Sequence, residues 1–594
     1  MTSSTVSLQA ATPQKKRQID VQAFAIASEI TILRSRTWDR LKFEIEYGLQ
    51  RGTTANTYLL QADKTALLDP PGETFTQIFL DALQKRCDLK QLDYIILGHV
   101  NPNRAETLKT LLDLNSDITI VCSNPGAIAL RAACPDRDLN LKVVRGDDTL
   151  NLGKGHYLQF VPTPTPRWPD GLCTYDQGSQ ILFTDKFFGA HVCGDQVFDE
   201  GWTVYNEDRR YYFDCLMAPH ARQVETALSK LADFSPRFYA TGHGPLVQYS
   251  LPDLTQNYRQ WSQQQKSQDI SVALLYASAY GNTTTLANAI ARGMGKAGVR
   301  VDAINCEAAD PEEIKTAIEK CAGFAIGSPT LGGHAPTQIQ TALGIVLSTA
   351  GKGKLAGVFG SFGWSGEAID LLENKLRDAG FSFGFETMRV KFKPTDTTLQ
   401  CCEQAGTDFA QALKKAKKSR EGGGAYRRKP METNPTAARV EHAIGRLVGS
   451  LSIVTAKQGE VSSAMLASWV SQATFNPPGL TVAVAKDRAV ESLLHTDDRF
   501  VLNILAEGKH LGLMKHFLKP FKPGEDRFQG VETEISEASG CPILKDALAY
   551  LDCQVENRME CGDHWILYAQ VQNGQVLQSD GITAVHHRKS GSHY

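Results

Sequence analysis

The 594-residue sequence lacks several features by which large classes of protein are recognised. No Cys-x-x-Cys pair occurs among its 13 cysteines. This argues against a zinc ribbon, a cysteine-held iron–sulfur cluster and a disulfide framework, and it favours a reducing, cytoplasmic compartment. No uncharged apolar run approaches the roughly 18 residues that cross a bilayer, so we expect no membrane insertion. The 63 basic and 65 acidic residues nearly cancel, whereas a generic nucleic-acid binder would carry a basic excess.

What is present is an ordinary globular composition, 42% hydrophobic and 22% charged, in a chain long enough for three or four domains. Strand-like apolar runs alternate with helical spacing before the basic stretch from Lys414 to Lys429, and short β-rich runs follow it. The basic stretch contains a Gly triplet and predicts a flexible linker. We therefore expect a tail (residues 1–29), an α/β domain (30–265), a second α/β domain (266–416), the linker (417–438) and a β-rich domain (439–594).

Three loops of the second domain each follow a predicted strand. The first is dense in hydroxyls and runs into a helix, where backbone N–H groups and the helix dipole favour a phosphate. It has no Lys and no Gly-x-x-x-x-Gly-Lys, which argues against a nucleotide triphosphatase. Ligands of parallel sheets bind beyond the carboxyl ends of strands, so the loops together predict a phosphate cradle with an aromatic face. The candidate binding residues are Ser278, Tyr280, Gly281, Asn282, Thr283, Ser328, Pro329, Thr330, Ser361, Phe362, Gly363, Trp364 and Gly366.

These loops resemble those of a flavodoxin domain, over about residues 270–415, and the resemblance implies that they hold FMN. The β-rich region resembles the flavin reductase-like split barrel, over roughly residues 438–590, which implies a second flavin reduced by NAD(P)H. Its Gly562-Asp563-His564 triplet matches that family's motif near the nicotinamide. The candidate cofactor-binding residues are Ser468, Trp469, Ser471, Lys486, Asn503 and His564, with Arg488 as a further candidate for the phosphate.

Four stretches of the first domain, around His99, Arg167, Asp185 and His243, look like the ligand-bearing stretches of a metallo-β-lactamase-like domain. With the other two domains in this order, nearly the whole chain resembles the flavodiiron proteins fused to a flavin reductase in cyanobacteria and other oxygenic phototrophs. The resemblance implies a multidomain α/β fold: a metallo-β-lactamase-like αββα domain, a flavodoxin-like doubly wound parallel sheet and a C-terminal flavin reductase-like split β-barrel.

The sequence departs from this family at the metal ligands. In the family, a His-x-Glu-x-Asp-His stretch, a second His, a bridging Asp and a last His hold two irons. The corresponding residues here are His99, Asn101, Asn103, Arg104, Arg167, Lys186 (or Asp185, if the alignment has a gap) and His243.

These replacements decide the expected metal content. Arg cannot donate a lone pair, and a cation beside a metal ion adds repulsion. We therefore expect no di-iron centre and no hydrolytic zinc site. Arg104, Arg167 and Lys186 should instead form a cationic pocket for an anion, or pair with carboxylates. The candidate carboxylates are Asp170, Asp185 and Glu106.

Members of this family reduce O2 to water, or NO to nitrous oxide, with electrons that pass from NAD(P)H or another donor through FMN. Their head-to-tail dimers place the FMN of one subunit beside the metal site of the other. The resemblance thus implies an oxidoreductase subunit of O2 photoreduction, either a homodimer or paired with an iron-containing flavodiiron homologue, with NAD(P)H or ferredoxin as the donor. Two alternatives stay open: a stand-alone NAD(P)H:flavin oxidoreductase (diaphorase) with a non-catalytic first domain, and a regulatory module that senses an anion. The sequence identifies no catalytic residue.

Overall fold

The computed structural model describes residues 19–38, 51–422, 435–519, 521 and 524–588. Its N-terminal part contains two sheets packed face to face. The larger sheet has seven strands in sequence order, namely β1 (Asp20–Ala27), β2 (Ile30–Thr37), β3 (Thr53–Gln61), β4 (Thr65–Leu68), β5 (Leu92–Ile96), β6 (Thr119–Ser123) and β7 (Leu141–Val144). The smaller sheet, in the order β12-β11-β10-β9-β8, comprises β8 (Thr149–Gly153), β9 (His156–Pro162), β10 (Leu172–Asp176), β11 (Ile181–Asp185) and β12 (Phe238–Thr241).

Helices cover both outer faces of this sandwich. The core between the sheets joins residues such as Tyr58 and Phe183, whereas two further cores lie between each sheet and its helices. The layers are therefore αββα, as expected. The helices are α1 (Thr76–Gln84), α2 (Pro102–Leu114) and α3 (Asn124–Ala133) on the larger sheet, and α4 (Asn206–Leu216), α5 (Ala221–Leu231) and α6 (Leu251–Lys266) on the smaller.

The first strand begins inside the predicted tail. Residues Asp20–Ala27 pair with β2 in an antiparallel register, and Val21 and Ala23 pack against the helix-covered core. Arg36 fixes the start of the strand by an ion pair of 2.7 Å to Asp20. Residues 1–19 are polar, and the strand follows them directly. From the sequence, the strand is therefore assigned to the same tail.

The second domain is a parallel sheet covered by helices on both faces. One core includes residues of α7 and α11, and the other includes residues of α8, α9 and α10. The strand order is β14-β13-β15-β16-β17, with β18 also paired to β16. The strands are β13 (Ser271–Tyr276), β14 (Arg300–Asn305), β15 (Gly323–Pro329), β16 (Leu355–Phe362), β17 (Ser382–Phe383) and β18 (Met388–Lys391), and the helices are α7 (Asn282–Lys296), α8 (Pro311–Lys320), α9 (Thr337–Thr349), α10 (Glu367–Asp378) and α11 (Asp396–Gly422).

The third domain is a seven-stranded sheet in the order β21-β20-β24-β27-β28-β23-β22. Only Ser468 and Trp469 connect its edge strands β21 and β22. Because so short a connection spans at most about 11 Å, the end of β21 lies close to the start of β22. The elements are α12 (Pro435–Ile444), β19 (Gly449–Ser450), β20 (Ser452–Gln458), β21 (Val461–Ala467), β22 (Val470–Phe475), β23 (Pro478–Ala485), β24 (Arg499–Ile504), α13 (His510–Leu518), β25 (Thr533–Ile535), β26 (Pro542–Leu544), β27 (Ala549–Cys561), β28 (His564–Val576) and β29 (Val585–His586).

The three expected fold types are thus confirmed, while the predicted boundaries of the linker fall inside helices. Residue 416 lies within α11, which continues to Gly422, and residue 438 lies within α12. The middle of the predicted linker, residues 423–434, is outside the described residues. No described helix is long and apolar enough to cross a membrane.

Candidate functional site

The three predicted FMN loops emerge side by side from one edge of the parallel sheet. They follow β13, β15 and β16, which are consecutive neighbours. The buried hydroxyls of Thr283 and Ser361 lie 2.8 Å apart and join the first loop to the third. The N–H of Thr330 donates to the carbonyl of Ser361 at 3.0 Å and joins the second loop to the third. The structure therefore brings these predicted residues into one cradle, at the N-terminus of α7.

Two large aromatic side chains stand in solvent beside this cradle. Tyr280 is 87% exposed and Trp364 is 92% exposed. The Oγ1 atom of Thr330 is buried and has no hydrogen-bond partner among the described residues. Gly281, at φ +79°, turns the chain into α7. Hydroxyls and N–H groups for a phosphate, an orphaned hydroxyl and two exposed rings fit a flat ligand with a phosphate tail, as FMN is.

Ser328 departs from the prediction. Its side chain is fully buried, and its hydroxyl donates to the carbonyl of Pro329 at 2.8 Å. The reason is that β15 continues to Pro329, beyond the apolar run from which the strand was predicted. The Ser328 side chain is thus committed within the chain. Gly363 and Gly366 lie on the third loop as expected, whereas Asn282 is the first residue of α7 and Phe362 is the last residue of β16.

A second candidate cradle lies where the edge strands of the third domain meet. The rings of Trp469 and His564 are 5.0 Å apart, and His564 Nδ1 lies 2.8 Å from the carboxylate of Asp563. The Ser468 hydroxyl and the Nε2 atom of His564 are buried, and neither has a hydrogen-bond partner among the described residues. A polar ligand would satisfy both groups, so this seam fits part of a flavin or its donor. Ser471 lies nearby on the exposed face of β22.

The two candidate phosphate cations of this domain differ in their surroundings. Lys486 bonds to Glu560, and its Nζ atom lies 5.2 Å from the centre of the Trp565 ring. Lys486 lines a cavity of about 720 Å³. Arg488 lines another cavity, of about 300 Å³, between the barrel and α11, together with Arg527.

Asn503 does not face a ligand, contrary to the prediction. It is fully buried in β24. Its amide donates to the carbonyl of Ile453 and the hydroxyl of Thr455, both at 3.2 Å, and its oxygen accepts from the N–H of Leu544 at 2.8 Å. Every polar atom of the side chain is used, so Asn503 ties β24 to the neighbouring barrel strand β20 and to β26.

This correction has a measurable consequence. Asn503→Ala is expected to destabilise the protein by about 2 to 3 kcal/mol, because it leaves the buried N–H of Leu544 and a carbonyl without partners. The flavin content per folded chain should stay the same. Chemical unfolding, followed by tryptophan fluorescence, measures the free energy of unfolding. The flavin released from the folded chain measures the flavin content. Asn573→Ala on the exposed end of β28 is the control, with a change within about 0.5 kcal/mol. Loss of flavin at unchanged stability would restore Asn503 to the cofactor site.

The four stretches predicted to carry metal ligands converge in the first domain. The N–H of Gly242 donates to the carbonyl of Asp185 at 2.8 Å, and the N–H of Leu172 donates to the carbonyl of Gly98 at 2.9 Å. The ring of His243 lies 4.7 Å from that of His191. The stretches therefore meet where the loops of both sheets come together.

Arg104 lies at the centre of this site and is held by two buried carboxylates. Its Nη2 atom is 2.7 Å from Asp185, and its Nη1 atom is 3.1 Å from Asp69. All three side chains are less than one-tenth exposed. Burial and the neighbouring Asp185 raise the pKa of Asp69 to about 7, although Arg104 opposes this shift. A guanidinium thus stands between two acids that would otherwise repel each other.

The other two predicted cations lie beside the same group. Lys186 Nζ is 3.5 Å from Asp185. Lys186 and Arg167 both approach the ring of Trp168, at 5.9 Å and 5.4 Å from its centre. Burial and Arg167 lower the pKa of His220 to about 3, so that histidine is neutral. The predicted pairing of Arg104 and Lys186 with Asp185 is therefore observed. The carboxylate balances much of the positive charge that would otherwise attract an anion.

The other predicted pairings are wrong. Asp170 accepts from Val100 N–H at 2.7 Å and lies 2.7 Å from His99 Nδ1; burial would raise its pKa, but these contacts lower it. Glu106 pairs with Lys109 on the surface, one turn along α2. Asn101 caps α2 by accepting the N–H of Arg104 at 2.8 Å.

Comparison with known families agrees with this division of the chain. An ODP family β-lactamase model matches residues 53–244, a flavodoxin model matches residues 274–406, and a flavin reductase-like domain model matches residues 444–592. A putative diflavin flavoprotein A 6 of Nostoc sp. is 68% identical over 97% of this chain and 99% of its own length. A putative diflavin flavoprotein A 3 of Synechocystis sp. is 66% identical over 97% of this chain and 95% of its own.

The chain belongs to the diflavin flavoprotein A family. A solved structure titled as the metal-soaked Flv1 flavodiiron core from Synechocystis sp. is 66% identical, with a TM-score of 0.66 over 67% of this chain and 100% of that one. As a family member with flavodoxin and flavin reductase domains, the chain is a flavin-dependent oxidoreductase. The cradle after β13, β15 and β16 fits the FMN of the flavodoxin domain.

The first domain does not fit the di-iron centre that the flavodiiron name implies. Among the described residues, no group of three or more His, Cys, Asp or Glu side chains is arranged to hold a metal ion. Two acids that meet in this site, Asp69 and Asp185, are bound by Arg104. A metal would have to displace a guanidinium that cannot lose its proton.

Two residues of this diflavin flavoprotein's site were missed from the sequence. Asp69 directly follows the buried strand β4, and a charged residue at the carboxyl end of a strand is a signal that was available. His191 lies in an irregular segment, with Nδ1 2.8 Å from the Thr53 hydroxyl. No periodicity marks such a residue, and only the resemblance to the metal-binding domain could have drawn attention to it.

Proposed function

We propose that this chain is an electron-carrying flavodiiron subunit without a di-iron centre of its own. It would take electrons from NAD(P)H or another donor and pass them through FMN to an iron-containing flavodiiron homologue that reduces O2 to water. The observation that carries the proposal is Arg104 held between Asp69 and Asp185, at the place where the family binds metal. A guanidinium in this position supplies the positive charge that a metal would supply, but offers no open coordination position.

The flavodoxin-like cradle supports the electron-carrying role. Bound FMN supplies two-electron and one-electron transfer. The chain's own contribution is to hold the phosphate at the N-terminus of α7 by N–H groups and the hydroxyls around Thr283 and Ser361. Tyr280 and Trp364 remain exposed at the mouth of the cradle. Exposed aromatic surface of this kind favours contact with another chain, which supports a hetero-oligomer or a homodimer.

The experiment compares the purified chain with its mixture with an iron-replete flavodiiron homologue. The chain alone should contain FMN, far less than one iron after incubation with ferrous iron, and little four-electron O2 reduction. The mixture should consume O2 faster than the sum of the separate proteins. An Arg137→Met chain, altered in a surface ion pair of the same domain, is the matched control for mixing. Two irons per chain at micromolar affinity, or rapid reduction of O2 to water by the chain alone, would contradict the proposal.

A diaphorase is the second candidate. The seam of the third domain favours it, because Ser468 and His564 offer buried polar groups for a flavin and its donor within a single chain. NAD(P)H oxidation that mixing leaves unchanged would favour this candidate. Anion sensing is the weaker reading of the first domain, since Asp69 and Asp185 already balance Arg104.

A further inference from the structure

A cluster of charges joins all three domains, and it is largely buried except at Glu207, whose side chain is 27% exposed. The first domain contributes Glu207 from α4, the second contributes α7 and α11, and the third contributes residues around β27. Three cations face three carboxylates, so the cluster is balanced. Its members are Arg292, Lys296 and Arg558, and Glu207, Glu403 and Glu491.

Arg558 is the residue through which the third domain meets the first. Its side chain is 2% exposed. Its Nη2 atom donates to Glu491 at 2.7 Å, whereas its Nε atom lies 3.2 Å from Glu207 as an ion pair without hydrogen-bond geometry. Nη1 donates to the carbonyl of Leu494 at 3.0 Å. Thr496 also donates to Glu207, at 3.2 Å. The guanidinium therefore has a carboxylate of the third domain on one side and a carboxylate of the first domain on the other.

The second domain completes the cluster. Lys296 lies 2.6 Å from Glu403 and also pairs with Glu491. Arg292 lies over the ring of Tyr211, 4.9 Å from its centre. The Tyr211 ring also packs against His495 of the third domain. Burial alone would raise the pKa of Glu491, yet Lys296 and Arg558 hold it well below its usual range. Glu491 is thus charged, and removal of a partner would leave that charge uncompensated.

The same arginine supports the hairpin that carries the candidate reductase site. Arg558 lies on β27, four residues before the turn at Gly562, and its guanidinium lies 4.2 Å from the centre of the Trp565 ring. Trp565 is the neighbour of His564, whose ring packs against Trp469 at the seam. Along a strand, successive side chains point to opposite faces. One face of the hairpin tip therefore rests on Arg558, while the other presents His564.

We propose that Glu207, acting through Arg558, is a positioning residue for the candidate flavin centre of the third domain. Helix α4 of the first domain would then be required for NAD(P)H oxidation, although that domain itself carries no redox group. This inference rests on the proposed NAD(P)H oxidation. It gives the first domain a role within its own chain: to hold the hairpin tip in register with the Ser468–Trp469 seam.

The test compares full-length Glu207→Gln with Glu207→Asp. The Gln variant should reduce flavin with NAD(P)H at least tenfold more slowly, while reduction by dithionite and the thermal midpoint stay near those of the parent chain. The Asp variant should recover much of the rate because it restores the charge. Glu225→Gln, which removes a surface partner of Lys266 in the same domain, is the control and should react as the parent does.

Hydrogen–deuterium exchange of the hairpin tip, residues 556–566, gives a readout independent of the donor. Faster exchange there in Glu207→Gln supports the positioning role, even if the parent chain proves inert toward NAD(P)H and the proposed donor fails. Unchanged exchange and an unchanged NAD(P)H rate would overturn it. An equal loss of NAD(P)H and dithionite reduction with a lowered thermal midpoint would also overturn it, because general destabilisation would then explain the effect.

Discussion

Arg104→Met is expected to destabilise the N-terminal domain by about 3 to 5 kcal/mol, the usual cost of leaving a buried charge without its partner. Methionine fills a similar volume, so the loss is electrostatic rather than a cavity effect. Asp69 and Asp185 would face each other across the site with only Lys186 nearby, at 3.5 Å from Asp185. Urea unfolding, followed by the fluorescence of the buried Trp168, measures the change.

The loss should depend on pH in a predictable direction. The pKa of Asp69 is raised to about 7 in the folded protein, well above its ordinary value near 3.8. A carboxyl with a raised folded-state pKa disfavours folding once the unfolded chain ionises, so this contribution worsens from about pH 4 to about pH 7 and is constant above. Since Arg104 opposes this shift, removal of its guanidinium raises the pKa of Asp69 further. The penalty of Arg104→Met should therefore be greater at pH 8 than at pH 6.

The matched control is Arg137→Met. Arg137 forms an ion pair of similar length, 2.7 Å, with Asp113, but the two side chains are 34% and 60% exposed. Exposed pairs contribute about 0 to 1 kcal/mol, so this variant should unfold almost as the parent does at both pH values. A small effect of Arg104→Met at pH 8 would mean that Asp69 and Asp185 find other partners, and the account of Arg104 as the replacement for a metal would fail.

The second domain shows how far sequence alone leads. Three of its strands, β13, β15 and β16, are apolar runs that lead into loops with glycine and hydroxyls, so both the parallel sheet and the edge that binds a ligand were predictable. The sequence did not reveal that β15 continues through Ser328 and turns that side chain inward. Strand ends depend on pairing with neighbours, here with β16, and local composition does not report pairing.

In the first domain, the place of the three cations was predictable from the sequence, but most of their partners were not. The resemblance placed Arg104, Arg167 and Lys186 in one site, and they do lie together. Asp69 was not predicted to hold Arg104, since the two residues are far apart in the chain and only the register of β4 against β5 brings them together. The partner of Asp170 was not predictable either, since this carboxylate lies against His99 and not against one of the three predicted cations.

The charge cluster between the domains could not be predicted from the sequence. Glu207, Lys296 and Arg558 belong to three separate domains and carry no motif. Each one would pass in the sequence for a solvated surface charge. Only the packed structure shows that they belong to one cluster, and so only the structure could assign them a role.

Thr283→Asp is expected to abolish retention of FMN by the flavodoxin-like domain. The substitution places a carboxylate where the cradle would hold a dianionic phosphate. Two like charges about 4 Å apart at an effective dielectric of about 20 repel by about 4 kcal/mol, which corresponds to roughly a thousandfold loss of affinity. Ser361, 2.8 Å from the Thr283 hydroxyl, can donate to the new carboxylate, so the domain should still fold.

Thr283→Val is the matched variant, because it removes the hydroxyl without adding charge or changing the shape. It should weaken FMN by about tenfold, the value of one hydrogen bond. Released flavin per chain, read after gel filtration, distinguishes the two variants, and circular dichroism confirms that both fold. Full FMN retention by Thr283→Asp would place the phosphate elsewhere.

Since Ser468 and His564 lie in a separate domain, a second flavin there should survive the substitution. The Thr283→Asp chain should then lose one flavin and keep the other, and complete loss of flavin would mean that the third domain holds none of its own.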